Sequence, residues 1–254
     1  MGFKTEKERE KWDMIVKGEF FRGVIILLQE TKIMEEDVEY FKFLCDKEGW
    51  DVYTSCNISR CRGVAIIEAK KYKMKLVEKD TGGRKIMIQC GEEGEDMFIT
   101  SIYAPVEHKE RREWLSKLKV PKGRGVVGGD WNIATNKRDR SGDIRPKKVE
   151  KFQDWMEDYG MFDVTANLEH TFFSSKYTAL LDRILVSTEV TEEKAYNGNS
   201  DFSDHRPVAV EWGGKKGYIW RLNPSILSDS WAEGVQGVMA DTWCVNQDKS
   251  ADVQ

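Results

Sequence analysis

Five apolar runs in this chain each deliver a polar residue of a catalytic type at or beside one end. Val24–Leu28 runs into Gln29-Glu30-Thr31, and Phe98–Ile102 into Tyr103-Ala104-Pro105. Gly125–Val127 runs into Gly128-Gly129-Asp130-Trp131-Asn132. Leu180-Leu181 leads through Asp182-Arg183 into Ile184-Leu185-Val186, and Ser203-Asp204-His205 precedes Pro207-Val208-Ala209-Val210. A hard divalent cation such as Mg²⁺ is held by a few carboxylates, substrate phosphate oxygens and water. Glu30, emerging from a buried run, offers a fixed but accessible carboxylate. Asp130 and Asn132 stand at i and i+2, which on an extended chain puts both on one face. One can manage a proton while the other positions a nucleophile or a phosphate, and the preceding glycines let backbone approach closely. His205 needs an acid to orient it. Asp204 is its neighbour and points to the opposite face of a strand, so it reads as a second metal ligand or a site organiser. Asp182, from another strand, is the better partner. The chemistry such a set performs is phosphoryl transfer: a metal, an oriented water, and stabilisation of the charge of a pentavalent transition state.

Each residue alone has a plainer reading. Glu30 serves as a helix-start acid, Asp130 and Asn132 as turn formers, His205 as a hydrogen-bonded surface histidine, and Tyr103 as a core aromatic. The order and shared context of all five favour a single site.

The elements that must carry these residues are legible from periodicity. Thr5–Glu19 predicts an amphipathic helix with a capping box at Thr5 and Glu8 and a stripe of Trp12, Ile15 and Val16. Val24–Leu28 predicts a strand buried on both faces. Helices are expected at Glu36–Lys47, Glu107–Leu118 and Lys147–Tyr159. Strands are expected at Trp50–Thr54, Gly63–Glu68, Met74–Glu78, Lys85–Cys90, Met97–Tyr103, Val126–Gly128, His170–Phe173, Arg183–Ser187 and Pro207–Trp212. Hairpins interrupt any strict βαβ alternation, so the pattern predicts an α/β fold of two mixed sheets packed face to face with helices outside. Residues 1–212 read as one domain. Residues 213–254 read as a basic Gly-Gly-Lys-Lys-Gly linker and a tail that is apolar in patches and polar at its end.

The chain has 254 residues, enough for a core without metal or disulfide staples. Its five cysteines are odd in number and widely spaced, and no histidine stands near Cys56 and Cys61 to complete a zinc site, so reduced thiols in an intracellular protein are expected. No apolar run reaches bilayer length and the N-terminus lacks a signal-peptide core, so no membrane partner is expected. The net charge of −4 argues against a protein that coats nucleic acid. A local basic stretch between Lys137 and Lys151, including Arg138 and Arg140, can nevertheless serve a DNA backbone; composition alone makes it a solvated loop.

The five segments together resemble the endonuclease/exonuclease/phosphatase superfamily. His170-Thr171-Phe172-Phe173-Ser174-Ser175 and Gly217-Tyr218-Ile219-Trp220-Arg221-Leu222-Asn223 resemble, within it, the apurinic-type endonuclease domain of LINE-type (non-LTR) retrotransposons. The resemblance covers about residues 2–231. It implies a four-layer α/β sandwich and Mg²⁺-dependent hydrolysis of a DNA phosphodiester, with Mn²⁺ as an alternative ion. By it Glu30 binds the metal, Asp130 activates water or manages a proton, and Asn132 and Tyr103 meet the phosphate. His205, paired with Asp182, stabilises or protonates phosphoryl oxygens, and Asp204 completes the metal site. Thr171 and Ser203 contact the DNA backbone, and Arg138 and Arg140 lie on a DNA-contacting loop. A nuclear location and fusion to a reverse transcriptase, absent here, follow by the same analogy.

Two departures stand out. Val106 follows the Tyr-x-Pro motif where the family usually has Asn. The chain starts after the strand with which members begin, so a central strand and one metal-site residue are expected to be missing and a sheet edge to be open. The competing expectations are a phosphatase of the same superfamily and an inactive truncated copy.

Overall fold

The computed structural model describes residues 24–57, 61–70, 74–91, 97–142, 149–190, 194–198, 204–212 and 217–222. The expected helix Thr5–Glu19, Ser203 and the tail beyond 222 lie outside these residues.

Strand β1, Val24–Gln29, buries Ile25, Ile26, Leu27 and Leu28 in succession, as a continuous apolar run requires. Helix α1, Val38–Lys47, buries Val38, Phe41 and Cys45, a stripe at helical spacing, and packs on β2, Trp50–Ser55. There follow β3 (Val64–Ala69), β4 (Lys75–Lys79), β5 (Lys85–Cys90) and β6 (Met97–Tyr103). Helix α2, His108–Lys117, is capped by the Glu107 carboxylate, which accepts from the Glu110 N–H at 2.8 Å. Next come β7 (Gly125–Asp130) and helix α3 (Glu150–Tyr159). That helix ends at Gly160, whose φ of 59° is the left-handed conformation glycine adopts without strain. The remaining strands are β8 (Met161–Asp163), β9 (Phe172–Phe173), β10 (Thr178–Ala179), β11 (Asp182–Ser187), β12 (Lys194–Asn197), β13 (Val208–Trp212) and β14 (Gly217–Leu222).

Among the described residues they form two six-stranded mixed sheets, ordered β12-β13-β14-β1-β3-β2 and β4-β5-β6-β7-β11-β8, and a β9-β10 ribbon. The sheets pack face to face over a core that joins Ile25, Leu27, Val64 and Ile66 of the first to Ile88, Ile99, Val126 and Ile184 of the second. A second core lies between the outer face of the second sheet and helices α2 and α3, where Val127, Ile102 and Leu185 meet Leu115, Phe152 and Trp155. The architecture is the expected α/β sandwich of two mixed sheets with helices outside.

The structure corrects the sequence reading at one strand position. An open edge is expected beside β1, with residues 217–222 in the linker and tail. Instead β14 pairs parallel with β1 and antiparallel with β13, so β1 has a neighbour on each side. The physical reason is local. Tyr218, Ile219 and Trp220 favour extended backbone, and unpaired edges on β1 and β13 are both satisfied by one inserted strand.

Glu68 on β3 is fully buried and stands opposite Asp51 on β2. Desolvation, then the Asp51 charge, pushes its carboxyl up to about 7. A raised carboxyl binds its proton more tightly in the folded chain. The stability it contributes is present below pH 4.5 and is lost as pH rises towards 7. Replacing Glu68 by Gln should therefore remove a loss on the order of 2 kcal/mol between about pH 5 and pH 8. Urea unfolding at the two pH values reads this out; an unchanged pH difference in Glu68→Gln contradicts it.

Candidate active site

Strand β1 is held to β6 where it ends. The Gln29 amide donates to Ser101 Oγ at 2.9 Å. The next residue, Glu30, turns out of the sheet with φ 54°. Its Oε1 accepts from the Tyr103 hydroxyl at 2.6 Å, and Lys32 Nζ stands 3.8 Å from its Oε2. Burial, then the bond to Glu30, pushes the Tyr103 phenol far above its usual range, so it remains a proton donor at neutral pH.

The segment after Tyr103 is fixed by side-chain donors on four successive carbonyls. Arg84 donates to Tyr103 O at 3.1 Å and Asn132 Nδ2 to Ala104 O at 3.0 Å. Arg111 Nη1 donates to Pro105 O at 2.7 Å and Val106 O at 2.6 Å. Val106 itself is exposed. The Arg111 clamp thus anchors the loop through its backbone, whatever side chain stands at 106.

Asp130 ends β7 beside Tyr103 in the parallel register and opposite Asp182 in the antiparallel one. Two glycines permit this. A Cβ on Gly128 would lie 2.6 Å from Leu27 Cδ1 of the other sheet, and one on Gly129 would lie 2.0 Å from Ile102 O. Asp130 is 4% exposed and its Oδ1 accepts from the Asn132 N–H at 2.9 Å. Asn132, with φ 53°, is thereby folded back towards the Ala104 carbonyl.

Asp182 opens β11 and is fully buried. Thr171 Oγ1 accepts from the N–H groups of Leu181 and Asp182, both at 3.1 Å. Asp182 Oδ2 lies 2.8 Å from His205 Nδ1. A carboxylate can only accept, so Nδ1 carries the proton and Nε2 is the nitrogen that can gain or give one. Phe172 packs on the imidazole at 5.0 Å between centroids. Ligand atoms of Asp130, Asp182 and His205 all lie within 4.8 Å of one another, a group able to hold a metal ion.

Residues 97–209 match the family model described as endonuclease-reverse transcriptase. The AP endonuclease LMAP from Leishmania major superposes with a TM-score of 0.63 at 16% identity, over 82% of each chain. The endonuclease domain of TRAS1, a telomere-specific non-LTR retrotransposon, superposes with a TM-score of 0.54 at 12% identity, over 76% of this chain and all of that one. The 3′ phosphatase NExo from Neisseria, bound to product DNA hairpin, does so at 0.52 and 17%, over 81% and 93%. This is the endonuclease/exonuclease/phosphatase fold.

The fold gathers the expected residues into two adjoining groups, Glu30 with Tyr103, and Asp130 with Asp182 and His205. Asn132 and Thr171 support the second. Asp204 is exposed, and neither it nor Glu30 belongs to the Asp130–Asp182–His205 group. Arg138 and Arg140 are exposed on the flank, where Arg138 donates to Ala166 O at 3.1 Å and the Arg140 guanidinium lies 3.9 Å over the Tyr177 ring. Sequence reasoning missed Arg84, Arg111 and an ion triad behind the site. Arg183, fully buried, pairs with both Asp139 and Asp163. Burial alone would raise the Asp139 carboxyl, but Arg183 and Thr135 more than offset it and hold it below its usual range. Asp182-Arg183 was the available signal, a charged pair opening an otherwise apolar strand.

Removing one member of a buried ion group strands the others. Arg183→Met should cost about 3–5 kcal/mol in urea unfolding at neutral pH. A loss below about 1 kcal/mol would show that the two aspartates are not held by this charge.

Proposed function

We propose that this chain is a Mg²⁺-dependent DNA endonuclease of the retrotransposon type, hydrolysing a phosphodiester to nick its target. The observation that carries the reading is the buried Asp182 hydrogen-bonded to His205 at 2.8 Å, with Asp130 close to both. Glu30, Asp130 and Asp182 are oxygen donors suited to a hard cation, with Asp204 and Mn²⁺ as the further expected ligand and the alternative ion. When bound, the cation would polarise a phosphoryl oxygen and lower the cost of the charge that develops there.

The chain's own residues supply the rest. Asp130 takes or manages the proton of the attacking water, and Asn132 and the neutral Tyr103 hydroxyl donate to phosphate oxygens. His205 donates from Nε2 once protonated, with Asp182 holding the ring in register. Thr171 and Ser203 are assigned to the DNA backbone. Arg138 and Arg140 would neutralise phosphates beside the site, and the stacked pairs Arg140–Tyr177 and Arg206–Phe173, exposed at Arg140 and half-buried at the other three residues, suit a long polyanion better than a small headgroup. The domain is proposed to act on nuclear DNA in association with a reverse transcriptase.

Nicking of supercoiled plasmid with Mg²⁺ and with EDTA tests the proposal. His205→Ala should lose about 10²–10⁴-fold in rate, and EDTA should abolish cleavage. Arg140→Ala should cut at near-normal rate when saturated, while the slope of log affinity against log salt falls by about one. Hydrolysis of phosphomonoesters without any nicking would select the phosphatase reading instead.

A further inference from the structure

We infer that β14 is a positioning element that sets the lateral separation between the Glu30 and His205 halves of the site. The inference rests on the phosphodiesterase reading for its catalytic consequence, though not for its structural one. In the first sheet, β1 delivers Glu30 at its end, and His205 stands three residues before β13. These two strands do not pair with each other. Among the described residues, β14 alone lies between them.

The register fixes how it fits. Val24 to Leu28 pair with Tyr218 to Leu222 in parallel, and Val208 to Trp212 pair with Arg221 to Gly217 in antiparallel. Leu222 and Arg221 therefore lie level with Leu28 and Val208, at the end of the sheet where Glu30 and His205 emerge. Two strand spacings of about 4.8 Å each separate β1 from β13. Without β14 the sheet would be two pieces, β2-β3-β1 and β13-β12, each with an open edge facing the other. Glu30 would keep its bond to Tyr103, and His205 its bond to Asp182, since those partners belong to the second sheet. What would be lost is the constraint between the two halves.

The strand that completes this sheet follows, in sequence, every residue assigned to the chemistry. The site is therefore whole only when the chain runs through Leu222 and that segment is inserted. A slot that accepts one strand in parallel on one side and antiparallel on the other is filled here in cis.

Proline cannot donate to a ladder and is excluded from central strands, so Ile219→Pro in the full chain tests the placement. Hydrogen exchange should accelerate about 100-fold at alternate amides of Ile25–Leu28 and of Val208–Glu211, with Val126–Gly129 and Ile184–Val186 of the second sheet still protected. Plasmid nicking should fall at least tenfold (about 1.4 kcal/mol of barrier), and Ile219→Val should keep both properties. Unchanged exchange in β1 and β13 overturns the inference. If Ile219→Pro unfolds altogether, paired cysteines decide. In a background with the native cysteines replaced by serine, either Ala209→Cys with Trp220→Cys or Val210→Cys with Ile219→Cys should cross-link within one chain, because adjacent antiparallel pairs alternate in geometry. Failure of both pairs overturns it. Exchange and cross-linking as expected in a chain that never nicks would keep the strand's placement and sink the nuclease reading.

Discussion

Beyond the Gln29–Ser101 tie, two hydrogen bonds between candidate site residues reach across the sandwich, and the geometry of the site depends on both. Tyr103, from the second sheet, donates to Glu30 of the first; His205, leading into the first sheet, donates to Asp182 of the second. Each bond is useful only if the sheets keep one alignment. Leu27 seated against Gly128, where no side chain of the glycine intervenes, sets that alignment close to the candidate site. Dense packing resists sliding, because a shift of one methyl group is felt throughout a close-packed core.

Behind this contact the molecule places charge where it cannot be replaced by water. Arg183 is fully buried between Asp139 and Asp163, one residue from Asp182. Its Nε also donates to the Ile133 carbonyl at 3.2 Å, while Trp131 Nε1 donates to the Arg183 carbonyl at 3.3 Å. Such an ion group contributes little net stability compared with apolar packing, but it is costly to break and permits one arrangement. It fixes the loop after Asp130 to the start of β11. Arg84 and Arg111 fix the loop after Tyr103 in the same manner, by donors to backbone carbonyls. The candidate site's side chains sit at strand ends, and the loops that follow those ends are the parts immobilised by arginine.

Much of this was legible in the sequence because strand ends carry two signals at once. A short apolar run reports burial, and a polar residue at its end reports convergence; Glu30, Tyr103, Asp130, Asp182 and His205 all met both conditions. The Asp182–His205 pairing followed from strand alternation, which turns Asp204 away, and Asp204 is indeed exposed. What was not legible has physical causes. Strands β8, β10 and β12 have four residues or fewer, too short for any period to register. Arg111 looks like one more charge on a polar helix, since only the tertiary fold turns it under Pro105 and Val106. Asp139 sits in a run of alternating charges that reads as solvated loop, and its burial depends on a partner 44 residues away. The place of β14 was missed because strand order is a non-local property, and a glycine–lysine stretch before it suggests a linker.

The central claim is that groups from both sheets act as one unit. A double-mutant cycle on phosphodiester cleavage tests it most directly, pairing Glu30→Gln from one side of the sandwich with Asp182→Asn from the other. Residues of one catalytic unit are strongly non-additive. The double variant should cleave about as slowly as the more damaged single variant. Losses that simply multiply would contradict it, and would mean that the two bonds across the sandwich join neighbours without joining their chemistry.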